Sequence, residues 1–152
     1  MESNSSVTVN DTPEGLVVTI NGMISERSEF PVPSAAGKRV ILDTAGVHHI
    51  NSLGVKAWID FLGRLCSQTQ DVVMRRLSPP LVLQASMISS FLGCARVESF
   101  MTPWVCDSCD SETQNVQPSG AAVPESHPCA GCGGVMELDS DPAAYLSFWQ
   151  AE

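Results

Sequence analysis

The sequence predicts an α/β chain: a mixed β-sheet with helices packed on it, followed by a small C-terminal ribbon. Three observations predict this. Short apolar or alternating runs are interleaved with stretches of helical periodicity through most of the chain. The longest helical pattern follows an apolar run with only a short link, in VILDTAGVHHINSLGVKAWIDFLGRLC (Val40–Cys66). Four cysteines then stand as two close pairs in the last third.

Composition narrows the class. A chain of 152 residues with 43% hydrophobic content is expected to hold one packed domain with a small appendage. No apolar run approaches the roughly 20 residues of a membrane span, so no membrane contact is expected. The start, MESNSSVTVND, has neither a basic nor an apolar signal region, and the expected location is cytoplasmic. The net charge of −9 is unevenly spread: all 8 Lys and Arg precede residue 101, while the rest of the chain carries only Asp and Glu. The acidic part has nothing to neutralise phosphates, so nucleic acid is not an expected partner.

Taken in order, Ser6–Val9 alternates, Asp11–Gly15 reads as a turn and Leu16–Asn21 as a second strand, giving a hairpin with a loop of about five residues. Gly22 ends it. Ile24–Phe30 has room for one or two helical turns before Pro31 and Pro33, and Pro31–Lys38 reads as loop. Val40–Leu42 is apolar throughout, as a strand buried on both faces would be. Asp43–Ile50 reads as a turn-rich link. Ser52 then opens a helix whose stripe is Val55, Ile59, Leu62 and Cys66, flanked by Trp58 and Leu65, with Lys56, Asp60 and Arg64 opposite. A serine there caps free backbone N–H groups, and the same end favours an anion. Asp71–Leu77 is the next strand. Ser78 and Pro79 start a helix carrying Leu81, Val82, Ala85, Met87, Ile88, Phe91 and Leu92, closed by Gly93, and Arg96–Phe100 is a last short strand.

With the elements in this order, the chain resembles a STAS domain, the fold of bacterial anti-sigma-factor antagonists and of the cytoplasmic tails of sulfate transporters. LVVTINGMIS (Leu16–Ser25), VILDTAGVHHINSLGV (Val40–Val55), Leu77-Ser78-Pro79 and Phe91-Leu92-Gly93 carry the resemblance, over about residues 6–102. It implies a STAS-like domain over 1–102, and the paired cysteines beyond it give a separate ribbon over 103–152. It also implies a protein partner, in the antagonist branch a serine-kinase-type anti-sigma factor, which phosphorylates the serine matching Ser52. The family's Asp before that serine is Asn51 here, and its acidic residue three after the strand-end Gly is Ser25. Ser52 is thus read either as a cap or as a phosphorylation switch. Leu53, Ala57 and Phe61 form a second apolar line on the helix. This line packs under neighbouring chain or, with Asn51 and Lys56, serves as a partner-binding face. His48 and His49 precede the helix as loop residues, with anion sensing the sharper alternative.

The cysteines divide into two sets. Cys66 and Cys94 lie in apolar surroundings of a chain without a signal peptide and are expected as small core residues rather than a disulfide. Cys106, Cys109, Cys129 and Cys132 have the C-x2-C…C-x2-C spacing of a zinc ribbon, in which both thiolates of each turn reach one ion about 2.3 Å away. Zn²⁺ held by four cysteines has a closed shell and is structural. His127 is a minor alternative ligand. Ser111–Pro128 is expected as a long mobile loop, and Asp141-Pro142 as the start of a short helix with Tyr145, Leu146, Phe148 and Trp149.

The function expected is a non-enzymatic signalling module that binds a protein partner around Ser52. The alternatives are a small-ligand sensor of nucleotides or lipids, and a phosphorylation-switched antagonist acting through Ser52. An enzyme is not expected, since no acid–base pair, nucleophile triad or open metal site stands out.

Overall fold

The computed structural model describes residues 5–26, 28, 30, 37–119, 123, 124 and 126–139. Over these residues it is a mixed α/β fold with two sheets and two helices, strands predominating. The first sheet holds β1 (Ser6–Thr12), β2 (Gly15–Ile24), β3 (Val40–Ile50), β4 (Val72–Arg75) and β5 (Arg96–Val97), side by side in that order. β1 is antiparallel to β2, and β2 to β5 run parallel. α1 (Ser52–Gln68) connects β3 to β4, and α2 (Pro79–Met87) follows β4.

Alternation along the strands sets the layers. Leu16, Val18 and Ile20 of β2, Val40 and Leu42 of β3, and Val72 and Met74 of β4 share one face. They form one buried cluster with Trp58, Phe61, Leu62 and Leu65 of α1 and Leu81 and Val82 of α2. The other face is tied by charge: Arg75 bonds Glu14 and Glu98, and Arg76 makes a forked contact with Asp43. At the opposite strand ends, hydrogen bonds from Arg39 and Arg96 hold the Asp71 carboxyl below its ordinary range.

Several expectations are corrected. The hairpin loop is two residues, because Thr12 pairs with Gly15. Asp43–Ile50 is not a link but the second half of β3. Its Thr, Gly and His content suggests a turn, yet β2 offers a partner along its whole length, and two register shifts absorb the irregularity. Ser25–Ser28 closes a turn instead of the helical turns expected before Pro31, among the described residues. α2 stops at Met87, and short turns carry the chain on to β5. Ser111–Pro128, expected as loop, contains two strands. Most of the Pro31–Lys38 loop and the helix expected from Asp141 lie outside the described residues.

The buried face of α1 is Gly54, Trp58, Phe61, Leu62 and Leu65, rotated from the expected stripe, while Val55, Ile59 and Cys66 are half-buried. Phe61, expected on a partner-binding face, is fully buried. Its ring stacks on Phe30 at 4.9 Å between centroids, an anchor the periodicity of α1 alone does not contain. Gly54 lies where any Cβ would run into the Ile24 carbonyl, so only glycine lets the first turn of α1 sit on the end of β2. Cys66 and Cys94 are joined by a disulfide with Cα atoms 5.9 Å apart, so the expectation of two separate thiols is wrong.

The second sheet is antiparallel, in the order β7-β6-β9-β8, from β6 (Ser99–Cys106), β7 (Glu112–Pro118), β8 (Ser126–Pro128) and β9 (Val135–Leu138). The expected boundary at 102 falls inside β6. Phe100 belongs to the first core, with Leu77 bridged to it, whereas Trp104 and Cys106 belong to a second.

The burial of Phe61 is open to a direct check. Phe61→Ala should cost about 3–5 kcal/mol, whereas Leu53→Ala, at a side chain 55% exposed, should stay within about 0.5 kcal/mol. Urea denaturation of the two variants measures both.

Candidate metal centre

Two turns of the second sheet meet at one point. Cys106 is the last residue of β6 and Cys109 lies in the turn to β7; Cys129 follows β8 and Cys132 lies in the turn to β9. The turns are built alike. In each, the first cysteine's carbonyl accepts the N–H of the residue after the second cysteine: Asp110 at 3.0 Å and Gly133 at 2.9 Å. In each, the first cysteine's N–H donates one residue further on, Cys106 to the Ser111 carbonyl and Cys129 to that of Gly134. Both closing residues are left-handed, Asp110 with φ 60° and Gly133 with φ 77°.

The four Sγ atoms lie within 4.8 Å of one another. Across the turns, Cys106 and Cys132 are 3.5 Å apart and Cys109 and Cys129 are 3.8 Å apart. A tetrahedral thiolate shell at about 2.3 Å has sulfur–sulfur edges of about 3.8 Å, so the quartet fits one metal ion. Backbone N–H groups already face the sulfurs: Ser108 donates to Cys106 and Gly134 to Cys132, both at 3.4 Å. Such bonds stabilise thiolates and orient them. Cys106 and Cys129 are buried and Cys109 and Cys132 exposed, so the shell is open to solvent on one side.

The thiols ionise unequally. The Ser111 hydroxyl and N–H pull the Cys109 thiol down to about 6, helped by the thiols of Cys132 and Cys106. At Cys132 the Gly134 N–H favours the thiolate, but the thiols of Cys106 and Cys109 oppose it, and together with burial they push it up to about 12. His127 does not join the set. Its ring stands edge-on to Trp104 at 4.5 Å, and its nitrogens contact Asn115 and the Pro128 carbonyl.

The residues around Ser52 form a second feature, on the other side of the fold's sequence. The N-cap of α1 is Asn51, whose Oδ1 accepts the Gly54 N–H at 2.7 Å; Ser52 is the first helical residue and is exposed. The capping role expected of Ser52 therefore belongs to Asn51. Both residue types cap well, and the bond of the Asn51 N–H to the Ile24 carbonyl holds Asn51 at the end of β2, where it caps the helix. Leu53 and Lys56 are exposed, and Asn51 is half-buried. Ser25 is buried, while the next residue, Glu26, accepts a hydrogen bond from the Asn51 side chain at 3.3 Å. A carboxylate thus stands at the helix start although position 25 lacks one. His48 and His49 are exposed at the end of β3, not in a loop. Beside them runs an open groove of about 380 Å³, lined by His49, Pro79, Leu83 and Met87 among others. Met87, expected among the apolar residues of this helix, is instead 71% exposed there beside Leu83, four residues earlier and 41% exposed.

Comparison with protein-family models, curated proteins and solved structures gives no match. No helix among the described residues is long and apolar enough to cross a membrane.

Two predictions follow from the turn geometry and the thiols. Gly133→Ala forces a side chain into the left-handed region and should weaken metal retention, whereas Asp110→Gly relieves the same conformation and should keep it; competition with a chromogenic chelator ranks the variants. In metal-free protein under native conditions, iodoacetamide labelling of Cys109 should rise as pH passes about 6, while Cys132, also exposed, stays a thiol and lags. Peptide mass spectrometry across pH 5–8 reads the difference.

Proposed function

We propose that the chain is a non-enzymatic, STAS-like regulatory module of the bacterial cytoplasm. It binds a protein partner through the surface around Ser52, and a structural Zn²⁺ sits in its four-cysteine ribbon. The observation that carries the reading is the exposed start of α1 beside an apolar groove: Ser52, Leu53 and Lys56 are exposed, and Leu83 and Met87 are 41% and 71% exposed close by. Large apolar side chains left in water among polar ones are what a docking surface offers. A hairpin followed by parallel strands in sequential order, with a helix opening just after the central strand, supports the STAS-like part. Four cysteines without a fifth, open position support zinc in a structural role over zinc in a catalytic one.

A phosphorylation switch at Ser52 is the second reading, in which the partner is a serine-kinase-type anti-sigma factor. It is favoured by one observation: Asn51 does the capping, which leaves the Ser52 hydroxyl exposed at the positive end of a helix. A nucleotide or lipid sensor is less favoured. α2 begins with Pro79 and Pro80, which have no N–H to offer a phosphate, and the Ser78 hydroxyl is buried. Nucleic acid is disfavoured because no Lys or Arg follows Arg96, and four thiolates around one Zn²⁺ add a net charge of about −2.

The test has a metal arm and a partner arm. Protein purified without chelator should contain one zinc per chain, lost on Cys→Ser at any of the four positions; elemental analysis without metal sinks that part. Leu53→Asp and Met87→Asp, both at exposed sites, should abolish co-purification of the native partner with melting temperature nearly unchanged. Recovery of the same partner at the same yield by both variants would remove the docking reading. A phosphopeptide spanning Asn51–Gly54 from native cells would select the switch.

A further inference from the structure

We infer that Cys66 and Cys94 are a thiol–disulfide exchange site for small disulfides of the glutathione class, and that its redox state sets the order of the connector between α2 and β5. The connector, residues 88–95, is irregular: Phe91 is in the core, and Ile88, Leu92, Cys94 and Ala95 pack half-buried against it. Its own backbone bonds are short turns: Phe91 N–H to the Ile88 carbonyl, Gly93 to Ser90 and Ala95 to Leu92. Ser89, Ser90 and Gly93 are exposed. Two anchors fix it to α1. At one, Phe91 is buried with its ring stacked on Trp58 at 5.7 Å, and its carbonyl accepts the Trp58 Nε1–H at 3.0 Å. At the other, the disulfide ties Cys94 to Cys66 in the last turns of α1.

The second anchor is suited to being made and broken. Cys66 Sγ accepts the Cys94 N–H at 3.2 Å, and Cys94 Sγ lies 3.9 Å from the Thr69 carbonyl. Reduction therefore leaves neither sulfur without a polar partner: one keeps its donor, and the other thiol has a carbonyl to donate to. Both residues are half-buried and neither is sealed in the core. Breaking the bond removes one of the connector's two links to α1 and leaves the Phe91–Trp58 contact as the other.

The exchange balances. One cysteine thiolate attacks a sulfur of glutathione disulfide and displaces one glutathione thiolate, leaving a mixed disulfide. The second cysteine attacks the protein sulfur of that mixed disulfide and displaces the other. The two thiol protons end on the two glutathiones, and the two electrons reduce the glutathione disulfide. Met87, directly before the connector, and Leu83 line the groove, so the connector adjoins that rim. The inference stands whether or not the groove binds a partner.

The full-length protein, with zinc in the buffer, is equilibrated in glutathione mixtures from fully reduced to fully oxidised. Differential alkylation and mass spectrometry read the peptides containing Cys66 and Cys94, and hydrogen exchange reads residues 84–95. The expected result is a reversible dithiol–disulfide transition, with exchange in 84–95 at least about tenfold faster in the reduced state and β2, β3 and β4 unchanged. The Cys66→Ser, Cys94→Ser double variant should exchange like the reduced wild type in every mixture. Two results would overturn the inference: thiols that stay free across the whole range, or a disulfide that forms without altering exchange in 84–95.

Discussion

The pairing of β3 between β2 and β4 is the constraint on which the remaining structure depends. β3 is the central strand of five, and Val40, Ile41 and Leu42 are shut off from water on both faces. Its second half holds to β2 through polar residues and two register shifts, which carries the pairing to Ile24 and Ile50. At that point the Asn51 N–H bonds the Ile24 carbonyl, the Asn51 side chain caps α1, and Gly54 lies against the same carbonyl. The position of Ser52, the tilt of α1 and the burial of Trp58 and Phe61 are consequences of where that strand pair ends. A strand ending at Leu42 would start the helix elsewhere and leave Phe30 and Phe91 without their aromatic neighbours.

The second sheet is held differently. Its core is Trp104, Cys106, Cys129 and Met136, with Val123 and Leu138 alongside, and two of these are metal-ligand candidates. Among the described residues, these apolar side chains alone bury too little surface to offset the ordering of four strands. Two things compensate. β6 is shared, with Ser99 and Met101 bonded to Leu77 at the edge of the first sheet and Phe100 in the first core. The paired turns bring four thiols to one point, where a bound ion contributes folding free energy directly.

The chain thus contains two kinds of cysteine chemistry. Cys66 and Cys94 are oxidised to each other, while the ribbon quartet is arranged as free thiols with N–H groups directed at sulfur. The difference is local: the first pair joins a helix end to a turn, and the second set surrounds a space of the size of one ion. A bound metal protects thiolates from exchange by occupying their lone pairs, so the two sets can respond to the same surroundings in different ways.

What the sequence determined by itself is what neighbouring residues control. The β1–β2 hairpin, the helical run from Ser52, the Ser78-Pro79 helix start and the two C-x2-C turns depend on turn chemistry, apolar period and short spacing, and all are legible in the chain. The tertiary structure decided whatever needed a distant partner. β3 runs through Thr44, Gly46 and His48 because β2 is there to pair with it. β7 is a strand despite its polar sequence because β6 offers seven partners in register. Phe61 is buried by Phe30, and Cys66 finds Cys94 across 28 residues. Glu26 supplies the carboxylate missing at position 25 because the turn after β2 aims it at Asn51. Local propensities are weak beside the burial and hydrogen bonding that such contacts add, so at these positions the remote partner prevails.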